Sequence, residues 1–123
     1  MSASARLGRL GEDLAARDLE AAGLVLVVRN WRCSRAGVRG EIDIVAWDGP
    51  TLVFCEVKAR RGARAGGPFA AVTPRKRSQL RRLAAVFMAD TGLRADEIRF
   101  DVVGVDWSPD SSAARVTHLR GAL

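Results

Sequence analysis

The chain contains no tyrosine, one histidine and two cysteines in 123 residues. Each shortage removes a class of chemistry. A Ser-His-Asp or Cys-His nucleophilic centre would have to rest on His118 alone, near the C-terminus, and is not expected. Cys33 and Cys55 form no Cys/His cluster with zinc spacing, and Cys55, inside an apolar strand, is expected as a buried reduced thiol. Without tyrosine, and with three tryptophans that fit strands, stacking on bases is less supported than contact with phosphates. No apolar run approaches the ~20 residues that span a bilayer, so no membrane association is expected. The opening Met-Ser-Ala-Ser-Ala-Arg lacks the apolar core of a signal peptide, which makes a cytoplasmic protein the expectation. Lysine is also scarce: Lys58 and Lys76 are the only two among 20 basic residues.

Acidic residues are in deficit, and the net charge is +6. The excess is uneven, with nine basic residues and one acidic residue between Glu56 and Arg82. Such a patch suits a polyanion, although a solvated surface in an arginine-rich protein would read the same way. Hydrophobic residues make up 48% of the chain, which argues against disorder. No linker, repeat or low-complexity tract divides it, so residues 1–123 are expected to form one domain.

The stretch from Gly40 to Lys58 organises the rest. Gly-Glu-Ile-Asp-Ile-Val-Ala-Trp, a turn at Asp-Gly-Pro, and Thr-Leu-Val-Phe-Cys-Glu-Val-Lys read as a β-hairpin. Alternation of side chains puts Glu41, Asp43, Val45 and Trp47 on one face of the first strand. Leu52, Phe54, Glu56 and Lys58 share a face of the second. A two-residue turn at Asp48-Gly49 would set Glu41 opposite Glu56, and a turn spanning Asp48 to Thr51 would set Asp43 opposite Glu56. Either register gathers Asp43, Glu56 and Lys58 on one face, with Ile42, Ile44, Val53 and Val57 on the other. Carboxylates and an amine on an apolar surface cost stability unless compensated. A divalent cation would compensate, since Mg²⁺ prefers carboxylate, water and phosphate oxygens.

Around this hairpin, residues 4 to 22 read as a helix with Leu7, Leu10, Leu14, Leu19 and Ala22 at helical spacing, capped by Ser2 or Ser4 and closed by Gly23. Glu12 sits at the edge of the apolar arc, and Gly8 and Gly11 would admit a close neighbour, so Glu12 is expected to point at the sheet. Residues 24 to 31 read as a strand buried on both faces, followed by a basic loop with Arg32, Arg35 and Arg39. Arg60, Arg61 and Arg64 lie in a glycine-rich basic loop, expected to be mobile and to contact backbone phosphates at the mouth of the site. Thr73-Pro74 opens a second helix whose stripe is Leu80, Leu83, Ala84, Phe87 and Met88. One turn back along that stripe is Lys76, flanked by Arg75 and Arg77. Residues 98 to 107 and 114 to 119 complete the strands, the last at an edge.

This order and these residues resemble the YraN family of bacterial proteins, and through it the PD-(D/E)XK nucleases of the archaeal-type Holliday-junction resolvase branch. The resemblance runs from Leu7-Gly8-Arg9-Leu10-Gly11-Glu12 to Arg99-Phe100-Asp101-Val102-Val103. Its most specific parts are Gly40-Glu41-Ile42-Asp43-Ile44-Val45-Ala46 and Phe54-Cys55-Glu56-Val57-Lys58. It implies an α/β, restriction-endonuclease-like three-layer fold, with a mixed sheet of about five strands flanked by helices in the order α-β-β-β-α-β-β. It also implies that Asp43 and Glu56 hold Mg²⁺ or Mn²⁺ with Glu12, and that Lys58 serves as the motif's lysine. The motif's proline is replaced by Ile42, and Glu41 is left as an accessory candidate. Arg39, Arg60, Arg61, Arg64, Arg75, Lys76 and Arg77 would meet the nucleic acid.

The expectation is therefore a metal-dependent endonuclease acting on DNA, branched or structured DNA included. A resolvase would also require a homodimer, because two cuts need two sites. The alternatives are a non-catalytic nucleic-acid-binding module on the same fold and an interaction protein whose carboxylates pair with arginines.

Overall fold

In the computed structural model, seven elements follow the expected order: α1 (Ala3–Ala21), β1 (Val25–Arg35), β2 (Val38–Asp48), β3 (Thr51–Arg61), α2 (Pro74–Thr91), β4 (Glu97–Trp107) and β5 (Ala114–Leu119). The structure describes residues 2–35, 37–62 and 72–123. The strands form one mixed sheet in the order β1-β2-β3-β4-β5. Only β3 and β4 are parallel, as a connection through α2 allows. The other neighbours are antiparallel.

Local chemistry sets the helix ends. Ser2 accepts from the Ala5 N–H, and Thr73 accepts from the Lys76 N–H with Pro74 in the first turn. Gly92 closes α2 at φ +70°, a conformation glycine enters without a Cβ penalty.

Each helix covers one face of the sheet, which gives three layers. Ala15, Ala16 and Leu19 of α1 pack with Ile44, Ala46, Val53, Cys55, Val103 and Val105. Leu80, Leu83, Ala84 and Phe87 of α2 pack with Ile42, Val45, Leu52, Phe54 and Phe100. Phe54 anchors the second layer, edge-on to Phe87 at 5.8 Å and stacked on Phe100 at 5.6 Å. Such rings each contribute roughly 1.5–3 kcal/mol through burial. No helix of the described residues is long and apolar enough to cross a membrane.

The first strand differs from expectation. It runs on to Arg35, and the expected basic loop is reduced to a tight turn before Val38, with Gly37 at φ +72°. Burial on both faces also fails, since Val25 is 65% exposed and Val27 39%. The reason is position: β1 pairs only with β2 and forms the sheet's edge, and a register shift between Leu26 and Val28 turns Val27 out of the ladder. An apolar run reports β-propensity, not how many neighbours the strand will have.

The hairpin adopts the second of the two registers, with Asp48 opposite Thr51 and Ile44 opposite Cys55. Below that level the ladder opens, and the Asp43 carboxylate itself accepts the Val57 N–H at 2.8 Å. Strict alternation also breaks here, since Ile44 packs under α1 whereas Ile42 packs under α2. On the neighbouring strand, Asn30 stands at φ +55° between the Arg29–Ile44 and Trp31–Ile42 pairs. Both strands thus change face at the level of Asp43.

A buried charge cluster ties β4 to β5 and the C-terminal segment, with Asp101 in register with Cys55 of β3. Asp101 has no exposed surface, yet it accepts from Arg99 at 2.9 and 3.0 Å, from His118 at 2.7 Å and from the Gly121 N–H at 2.8 Å. Burial alone would raise its pKa, but these donors hold it at about 2. The single histidine is occupied as a structural partner.

Candidate functional site

Glu12 is brought to the sheet by the residue before it. A Cβ on Gly11 would stand 2.6 Å from the Ala59 Cβ, so α1 can lie against β3 only where that side chain is missing. Glu12 then reaches Asn30, whose side chain hydrogen-bonds it. Asn is one of the few non-glycine residues that tolerates the left-handed backbone seen there. Burial raises the Glu12 pKa, the Asn30 hydrogen bond opposes this, and the charge of Glu41 raises it further.

Asp43 lies where the β2–β3 ladder opens. Its pKa is pushed up to about 7, first by burial and then by the charge of Glu56, against the opposing Val57 N–H. One carboxylate oxygen each from Glu12, Glu41 and Asp43 lies within 4.8 Å of the others. Oxygens around a magnesium ion at ~2.1 Å stand roughly 3–4 Å apart, so small side-chain adjustments would close this set on a cation. Glu41 has one cationic neighbour, Arg32, at 3.5 Å.

Glu56 is arranged differently. It is 4% exposed, and its Oε1 faces Lys58 Nζ at 3.3 Å and Lys76 Nζ at 3.5 Å. Its Oε2 is buried with no hydrogen-bond partner among the described residues. A buried carboxylate oxygen without a donor is costly, and it is the kind of vacancy a cation or a water fills. The oxygen cluster thus consists of Glu12, Glu41 and Asp43, where the sequence pointed to Glu12, Asp43 and Glu56. The donor set is all oxygen, which suits Mg²⁺ or Mn²⁺ over softer metals.

The expected nucleic-acid contacts divide. Arg39, Arg75 and Lys76 line one cleft of about 490 Å³ with Thr73, Gln79 and Arg82. Arg60 instead pairs with Asp106 at 3.3 Å, and Arg61 donates to the carbonyls of Ser108 and Ser111 at 3.1 Å each. Both stand on β3 and not in a loop, Arg60 engaged with its β4 neighbour and Arg61 with the β4–β5 connection. Arg77 is half-buried in the first turns of α2, and Arg64 lies outside the described residues.

Sequence reasoning passed over Asn30, Gln79 and Arg82. Asn30 carried a faint signal, an amide in the middle of an apolar strand. Gln79 donates to the Arg39 carbonyl at 2.6 Å and touches the bare backbone of Gly40, a contact with no sequence signature.

Residues 11–105 match the family described as "Uncharacterised protein family UPF0102". That span takes in every element from α1 to β4, including all four carboxylates and Lys58 and Lys76. The chain belongs to UPF0102. This is the family identified above as YraN. A UPF0102 protein of Frankia casuarinae is 48% identical over 123 residues, covering 100% of both chains. One of Streptomyces coelicolor is 50% identical over 122 residues, covering 98% of this chain and 91% of the relative. One of Streptomyces griseus is 51% identical over 122 residues, covering 98% of each. The UPF0102 chain studied here is thus matched along its whole length.

Proposed function

We propose that this UPF0102 protein is a metal-dependent endonuclease that hydrolyses phosphodiester bonds in DNA, branched or structured DNA included. The observation that carries this reading is the pairing of two unlike half-sites. Three carboxylates gather their oxygens on one side, and on the other a buried Glu56 holds two ammoniums on one oxygen while the second oxygen is free. A merely structural ion pair would satisfy both oxygens.

Glu12, Glu41 and Asp43 would hold Mg²⁺ or Mn²⁺, with Glu56 Oε2 available on the flank. Such an ion polarises a phosphoryl oxygen and makes a bound water acidic. The protein's own residues do the rest. The raised pKa of Asp43 means that its carboxyl holds a proton near neutrality until a cation displaces it. Lys58 and Lys76 stand ready to turn from Glu56 towards phosphate oxygens and to offset the negative charge that grows there during hydrolysis. Asn30 fixes the Glu12 carboxylate, and the Val57 N–H fixes that of Asp43. Cutting of a four-way junction would need two such sites and hence a homodimer.

A second reading keeps the fold and the basic surface without catalysis, as a nucleic-acid-binding module. Arg39, Arg75 and Arg82, which line the cleft of about 490 Å³ and form no ion pair among the described residues, favour it. Calorimetric titration of Mg²⁺ and Mn²⁺ into wild type and Asp43→Asn, followed by incubation with a labelled junction, flap and duplex, separates the two. The endonuclease reading expects metal binding lost in the variant and cutting by wild type only. Failure of wild type to bind metal even with DNA present would sink it in favour of the binding module.

A further inference from the structure

Two of the molecule's clefts differ more in charge than in size. The larger, about 630 Å³, lies between α1 and β1 and is lined by Arg9, Arg29 and Arg32 but also by Glu12, Asp13 and Glu41. Two of its arginines are already neutralised: Arg29 meets Asp13 at 2.7 Å and Arg32 meets Glu41 at 3.5 Å. The smaller, about 490 Å³, lies between the β1–β2 turn and the start of α2, and no acidic residue lines it. Its Arg39, Arg75 and Arg82 come from two separate elements and form no ion pair among the described residues.

One side chain belongs to both this cleft and the site. Lys76 lines the cleft, and its Nζ reaches Glu56 Oε1 at 3.5 Å. Gly37 lines it without a side chain, and Gln79, which also lines it, is held on the Arg39 carbonyl. A helix start alone would not make a site. Here its partial positive charge adds to free guanidiniums converging on a groove that leads to a phosphate-handling centre.

We propose that the groove between the β1–β2 turn and the first turns of α2 is the track for the phosphodiester backbone, so that the strand flanking the reacting phosphate lies over α2 and not over α1. Arg39 and Arg82 hold its two walls, Arg75 meets the phosphates at the helix start, and Lys76 hands the strand to Glu56. The direction of the track rests on reading the carboxylates as a phosphodiester site. Binding in the groove does not, because it needs no metal.

The test is fluorescence anisotropy with a labelled 12-nucleotide DNA strand, the same sequence as RNA, and the DNA duplex, in EDTA across a range of salt. Wild type is compared with Arg75→Ala/Arg82→Ala and with Arg17→Ala/Arg94→Ala, which removes equal charge from exposed positions elsewhere. Each lost phosphate contact flattens the slope of log affinity against log salt by about 0.7 on single strands and about 0.9 on duplex. The groove variant should flatten by about twice that and lose at least tenfold in affinity, while the control pair keeps the wild-type slope. Loss with DNA and RNA alike assigns the backbone as ligand, and loss with DNA alone narrows it to DNA. Equal effects of the two variants, or no binding by wild type, would overturn the proposal. Groove-dependent binding without metal-dependent cutting would uphold the groove as the backbone site while removing the track's direction and the endonuclease reading.

Discussion

Lys58 and Lys76, the only lysines of the chain, reach the same carboxylate oxygen from different elements, at 3.3 and 3.5 Å from Glu56 Oε1. Every other cation in the protein is arginine or His118. The chemistry of the two side chains explains the exception. A guanidinium is a planar fork that takes both oxygens of a carboxylate, whereas an ammonium is a compact point donor. Two ammoniums can therefore share Oε1 and leave Oε2 open. Lysine here leaves Oε2 without a donor among the described residues.

Replacing Lys76 by arginine should keep the fold and close the site. The fork would reach Oε2, so Lys76→Arg is expected to unfold in urea within about 0.5 kcal/mol of wild type. Its affinity for Mn²⁺ by calorimetry should nevertheless fall roughly tenfold, or about 1.4 kcal/mol. By contrast, Lys58→Ala/Lys76→Ala leaves a buried carboxylate without cations and should cost roughly 1–3 kcal/mol of stability, largely restored by adding Glu56→Gln. Unchanged stability in the double variant would mean that the ammoniums do not stabilise Glu56.

The pH dependence of stability should carry the signature of Asp43. Its folded pKa, about 7, lies above its ordinary value of 3.8. Between those values the folded state holds a proton that the unfolded state has released, so this group's contribution weakens as pH rises from about 4 to about 7. At pH 8 the ionised carboxylate is buried beside Glu56, and Asp43→Asn should be more stable than wild type by on the order of 2 kcal/mol. Asparagine can still accept the Val57 N–H. At pH 4 the two should converge. Saturating Mn²⁺ should raise wild-type stability at pH 8 and leave the variant unmoved.

Asp101 should act in the opposite sense and in a different window. Its folded pKa, about 2, lies below the ordinary 3.8, so its contribution is present above about pH 4 and is lost as pH falls towards 2. Asp101→Asn removes the buried carboxylate shared by Arg99, His118 and the Gly121 N–H and is expected to cost about 3–5 kcal/mol by urea denaturation at pH 7. Asp101 lies in register with Cys55, the neighbour of Glu56, but its carboxylate is taken up by Arg99, His118 and the Gly121 N–H, so Mn²⁺ affinity in the folded protein should fall far less than in Asp43→Asn.

Much of this was legible in the sequence because it depends on local rules. Thr73-Pro74 and Gly92 bound α2 by capping chemistry, and the Leu80–Phe87 stripe fixes the face it buries. The hairpin's turn sets the register from Asp48–Thr51 to Ile44–Cys55, which brings Asp43 within reach of the Val57 N–H beside Glu56. What the sequence hid is non-local. The exposure of Val25 and Val27 follows from β1 lying at the sheet's edge, which no pattern within β1 encodes. The change of face between Ile42 and Ile44 follows from Asn30 on another strand, and it moves Glu41 from an accessory position into the oxygen cluster. Arg60 and Arg61 looked free until β4 supplied Asp106 and the β4–β5 connection two carbonyls.

Gly11 offers the sharpest test that helix position sets the proposed metal site. Its missing Cβ would fall 2.6 Å from the Ala59 Cβ, with the Trp107 ring at 3.6 Å. Gly11→Ala gains about 1 kcal/mol of helix propensity, but the clash must lift α1 from β3, and overpacking of this kind costs about 1–3 kcal/mol. The net change in stability should be small. Glu12, one residue on, would nevertheless be carried away from Glu41 and Asp43, so Mn²⁺ affinity should fall at least tenfold by calorimetry. Adding Ala59→Gly removes the other half of the clash and should restore affinity without restoring any lost ligand. A Gly11→Ala protein that binds Mn²⁺ as wild type does would show that the carboxylate cluster tolerates a displaced α1, and Glu12 would then lose its place among the metal ligands.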